Sequence, residues 1–136
     1  MSLESVSIST SKYITTVKAN IDGHDYTVRK MGAGTQLDMS REISNLMKMR
    51  TELLNLEGKM KKAKTDEEAD KMLADNMGKM ESFNKIVNRI EAIFIDLFDD
   101  GEDGKRSAKL VHALGIENTQ KVYNEIFDKA EQDAKE

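Results

Sequence analysis

No cysteine, no proline and no tryptophan occur among the 136 residues of this chain. Without cysteine there is no disulfide framework, no thiolate nucleophile and no zinc–thiolate site, which fits a reducing interior. Without proline, the eight glycines carry the punctuation. Two histidines are too few for most metal or nucleophilic sites. No apolar run reaches the roughly 18–20 residues that a membrane span needs, and no signal-peptide core follows Met1, so a cytoplasmic protein is expected. Neither of the phosphate-binding patterns GxxxxGK(S/T) and GxGxxG is present, and there is no internal repeat or low-complexity tract.

What is present is charge: 34% of residues are charged and 38% hydrophobic, enough for one domain over 1–136 with a modest core. The net charge of -4 argues weakly against a nucleic-acid module, which usually shows a basic face. The one basic cluster, Lys59, Lys61, Lys62 and Lys64, runs into Asp66, Glu67 and Glu68. Opposite charges that close cancel within about 8–10 Å, so the cluster reads as a solvated helix end.

Residues 1–12, rich in Ser with Val6 and Ile8 alternating, read as a flexible arm or a short strand. Over 13–31 the Asp22-Gly23 pair between alternating apolar residues predicts a β-hairpin. With those two residues as the turn, Val17, Ala19, Tyr26 and Val28 share an apolar face, while Lys18, Asn20, Asp25 and Thr27 share a polar one. A lone hairpin is marginal in water, so the apolar face must lie on helices or meet another chain.

Two long helices are expected over 35–98. The first is capped by Thr35 with Asp38 and runs from about Gln36 to Lys62, its apolar residues covering half the circumference. So wide a stripe usually touches two neighbours. The second starts at the capping box Thr65–Glu68 and continues to Phe98, with a possible kink at Gly78. After the breaker "DDGEDG", a helical cap fills 105–130: a short helix from Arg106 to Leu114, Gly115 just past its end, and a last helix from Asn118 or Thr119. Residues 131–136 read as a frayed polar tail. The fold class is thus α+β and mainly α-helical, an N-terminal β-hairpin packed on two long helices with a C-terminal helical pair.

No constellation singles out an active site, so an enzyme is not expected, and neither a cofactor nor a metal is expected. His24 falls at the hairpin tip and is expected in solvent; His112, among Leu110, Val111 and Leu114, is expected to pack partly buried. The acidic loop Asp99, Asp100, Glu102, Asp103 imitates a calcium loop, but puts Leu110 where a bidentate Glu is required. It reads instead as a helix-terminating loop. Methionine is the unusual count, nine in all, seven of them on the two long helices. Filling a helical core is the plainer account; a flexible, polarisable groove for another protein's helix is the alternative. On the second account Tyr26, Met47, Met72, Met77 and Met80 border the partner-binding surface. The all-round apolar run "IEAIFIDLF" must be buried on several sides or lie at a subunit contact, which makes Ile93, Phe94, Ile95 and Phe98 the candidates for self-association. A homo-oligomer is expected, with the hairpin's open edges as a second route.

The order "VKANIDGHDYTVRKMGAGTQLDMSREISNL" and the ending "LVHALGIENTQKVYNEIFDKAEQ" resemble the tail assembly chaperones of long-tailed bacteriophages and prophages. The resemblance covers about the first 50 and the last 30 residues, and its motifs are structural rather than reactive. It implies a non-enzymatic cytoplasmic protein of the bacterial host cell that binds the tape-measure and tail-tube proteins until the tail polymerises. Many members are also made in a longer, frameshifted form. The family has no site motif to carry over. Two other classes remain open: a structural head–tail joining or scaffold protein, and a small helical regulator that binds nucleic acid.

Overall fold

The computed structural model describes residues 5–7 and 15–135. The expected arm or strand over 1–12 lies outside the described residues, apart from 5–7, where Val6 is exposed. The order of elements is β1 Thr16–Ile21, β2 His24–Arg29, α1 Ala33–Lys61, α2 Asp66–Asp75, α3 Met77–Leu97, β3 Phe98–Asp99 and α4 Lys105–Lys135. The fold is α+β and mainly helical.

The hairpin forms in the expected register, with Val17 opposite Val28, Ala19 opposite Tyr26 and Ile21 opposite His24. Asp22 and Gly23 take φ of 53° and 83°, the left-handed pair that a two-residue hairpin turn requires. Asn20 locks the turn: its amide nitrogen donates to Asp25 and its amide oxygen accepts the Gly23 N–H. Tyr26 and Val28 are buried, with Val17 and Ala19 packed against the same core. That apolar face lies mainly on α3, the end of the expected second long helix, and on α4. The third strand, β3, has no sequence signal of its own. Phe98 and Asp99 pair with Val28 and Thr27 as the chain leaves α3, so the sheet order is β1-β2-β3 and β1 keeps an outer edge.

Helix α1 starts at Ala33 with Gly32 before it and no side-chain cap, not at the expected Thr35–Asp38 cap. Its start is set by an anchor instead: the buried Met31 N–H donates to the Tyr123 hydroxyl at 2.8 Å. Thr65 does cap α2, accepting the Glu68 N–H at 3.1 Å, while Glu68 reaches back to the Lys64 N–H. The expected second long helix breaks at Asn76, not Gly78. The Asn76 side chain donates to the Met72 carbonyl, competing with the helix ladder. In α4, Gly115 takes φ 77°, ψ 167°, which divides the element into the two expected helical pieces. Helix continues through the expected tail to Lys135, with Lys30 and Glu131 paired at its side.

One core joins these parts: Ile90, Phe94, Leu97 and Phe98 from the end of α3, Met39 and Leu46 from α1, Val111, Tyr123 and Phe127 from α4, and the hairpin residues. The apolar run over 93–98 is therefore turned inward. Phe94 and Phe98 are fully buried within the single chain, and Ile93 and Ile95 pack half-buried against them. Of the two places open to the run, α4 and the sheet give Phe94 and Phe98 burial within the chain, while Ile93 and Ile95 keep a partly exposed side. No helix among the described residues is long and apolar enough to cross a membrane.

Candidate partner-binding surface

Between Leu46 and Ile90 not one residue is buried. That stretch holds the second half of α1, all of α2 and the first half of α3, with α2 and α3 folded back along α1 as an arm. Glu52 with Lys79, and Glu42 with Arg89, tie its helices at the surface. Such exposed pairs contribute little, about 0–1 kcal/mol each. Beyond the reach of α4 and the sheet, α2 and α3 lie along α1 alone, which leaves part of each helix's circumference uncovered.

The methionines divide accordingly. Met47 is 53% exposed on α1, at the rim of an open groove of about 320 Å³ that Ile43, Phe83, Val87 and Ile116 also line. Met72 is half-buried in a separate depression between α1 and α2, beside Leu56, Lys59 and Asn76. Met77 and Met80 are exposed together on α3, one turn beyond the exposed Leu73. Met39, in contrast, is core. Tyr26 leaves the candidate surface altogether: it is 4% exposed within the body. Burial pushes its phenol above the ordinary value, opposed by Arg106 and reinforced by Asp100 and Asp22. Sequence reasoning missed Leu37, Leu54 and Leu73 as exposed residues. Leu54 and Leu73 fall at helical spacing with other apolar residues, and periodicity alone does not show where the neighbouring helix stops.

The histidines do no chemistry together. His24 is exposed at the tip. His112 is exposed rather than packed, with Nε2 2.9 Å from Glu91 Oε2, because the short α4 segment turns it toward α3. Among the described residues no group of three His, Asp or Glu side chains is placed to hold a metal ion.

The acidic loop is a structural clasp. Asp100 is 8% exposed; Oδ1 accepts from the Glu102 and Gly104 N–H groups and Oδ2 from Ser107, whose hydroxyl donates to the Ile95 carbonyl. These contacts join the end of α3 to the start of α4. The Glu102 N–H above all, with those of Ser107, Gly104 and Arg106, holds the Asp100 carboxyl below its ordinary range, against the opposing effect of burial. A lowered folded value means that the contribution is complete above the ordinary Asp value, about 3.9, and is lost as pH falls through the lowered one. Asp100→Asn is thus expected to lower the melting temperature by several degrees at pH 7 and to flatten its decline below about pH 4. Thermal melts from pH 7 to pH 2 check this. An unchanged acid slope in the variant would show that other groups carry it.

No protein-family model matches this chain, and neither a curated protein nor a solved structure matches it.

Proposed function

We propose that the chain is a non-enzymatic tail assembly chaperone of a long-tailed phage or prophage, acting in the host cytoplasm on helical tape-measure and tail-tube proteins. One observation carries the reading: the arm between Leu46 and Ile90 holds no buried residue, yet presents Met47, Leu54, Leu73, Met77 and Met80. Apolar side chains gathered on an arm mark a surface that meets another macromolecule. The pairing of Leu with flexible Met suits a helper that accepts the varied faces of a long helical chain. The hairpin and the C-terminal pair supply the resemblance to the family, and the arm supplies a place to hold a client.

The test is retention of a long tape-measure-type helical protein on co-expression. Replacing Met77 and Met80 together by Asp is expected to leave the melting temperature nearly unchanged, since exposed substitutions fall within about 0.5 kcal/mol. Retention is expected to be lost, because two carboxylates desolvated beneath a client cost several kcal/mol. A variant that unfolds would return both methionines to the core. A ring of fixed size without any client would favour the joining protein, and salt-sensitive retention on DNA the regulator.

A further inference from the structure

Helix α1 carries a second seam on its outer side. Its inward stripe includes the buried Met39 and Leu46. Roughly a third of a turn away, Leu37, Ser40, Ser44, Met47, Thr51 and Leu54 follow one another at alternating spacings of three and four, the heptad spacing of a helix–helix contact. All six are exposed, and the three large ones are 68%, 53% and 57% exposed for Leu37, Met47 and Leu54 respectively. Single exposed leucines are ordinary. An uninterrupted row is different, for 34% of the chain is charged and yet no charge falls on it. The row extends about 25 Å at 1.5 Å per residue. Its polar members are small, and the Thr51 hydroxyl already donates to the Met47 carbonyl, so covering that hydroxyl strands no donor.

The flank of the seam says what would cover it. Arg41 and Lys48 border it on the side away from α4, exposed, and neither forms an ion pair among the described residues. On the other side Arg50 is held by Glu117 of α4. A second copy does not satisfy this flank. Laid antiparallel, seam on seam, it returns Arg41 and Lys48 to basic residues; laid parallel, it sets them opposite Gln36 and Ile43. Neither direction supplies an acid. We infer that the outer seam of α1 docks an amphipathic helix of another protein, one with an apolar heptad row bordered by Asp or Glu. This names the client chemistry of the helix-binding role proposed above and rests on it.

The probes are two synthetic helices about three heptads long, with leucine in the heptad row and either Glu or Lys on both flanks. Titrated against the full chain, the Glu-flanked helix is expected to bind at least about tenfold more tightly than the Lys-flanked one. Leu54→Glu is expected to abolish that binding without lowering the melting temperature, and Arg41→Glu with Lys48→Glu to reverse the preference. Equal binding of the two helices overturns the inference. So does a sedimentation run in which wild type is a dimer that Leu54→Glu dissolves, which would make a second copy the occupant. Retention of the tape-measure-type protein by Leu54→Glu, with neither probe bound by wild type, overturns the seam alone. Loss of every helical ligand, probes and tape-measure-type protein alike, overturns the proposed function with it.

Discussion

Phe98→Ala is expected to cost about 3–5 kcal/mol, the range for removing a buried aromatic ring from a packed core. Phe98 is fully buried, pairs with Val28 through β3, and sets its ring 6.5 Å from that of Phe94. It therefore lies where α3, the hairpin and the acidic loop meet. Domains of this kind are stable by about 5–15 kcal/mol, so the loss is a large part of the whole. A fall in melting temperature of roughly ten degrees or more should follow. Repeating the melt over a wide range of protein concentration separates two accounts. A core ring gives a loss independent of concentration. A loss that appears only on dilution would put Phe98 at a contact between copies.

Tyr123→Phe removes a single oxygen and is expected to cost about 1–3 kcal/mol, the penalty of leaving a buried N–H unpaired. The oxygen accepts from Met31 at 2.8 Å, and both residues are nearly inaccessible, at 4% and 6% exposure. Ring packing is kept, because the phenylalanine can retain the tilted contact with Phe127 at 4.9 Å. The loss is thus assignable to the hydrogen bond. Amide exchange gives the sharper check: the Met31 N–H should exchange faster in the variant, while the hairpin amides keep their protection. If its exchange does not change, Tyr123 acts by packing alone.

Several local signals in the sequence read correctly, though not the Thr35–Asp38 cap or the kink at Gly78, and contacts between distant parts did not. Asp22-Gly23 with alternation on either side determines the hairpin register, since a slip of one residue would turn Tyr26 and Val28 into solvent. Thr65 and Gly115 are equally local, a side-chain cap and a positive φ. Met31 and Tyr123 are 92 residues apart, and neither shows in its own neighbourhood that it has a partner. The β3 strand exists only because α3 ends beside β2. Periodicity placed Phe94 and Met77 on helical stripes, but not at the two ends of one helix with opposite surroundings. α4 and the sheet bury the first, whereas the second is 54% exposed.

The absence of buried residues between Leu46 and Ile90 also has a thermodynamic meaning. Burial of side chains is what couples one element's opening to another's, so the arm is expected to be the less protected part of the chain in amide exchange. Its amides are expected to exchange at a lower free energy than those around Phe94, Phe98 and Val28, which hydrogen exchange would measure. A client lying along the arm would supply the missing side of its core. Binding would then protect the arm's amides first and the body's hardly at all, and the arm would gain its full order only when occupied.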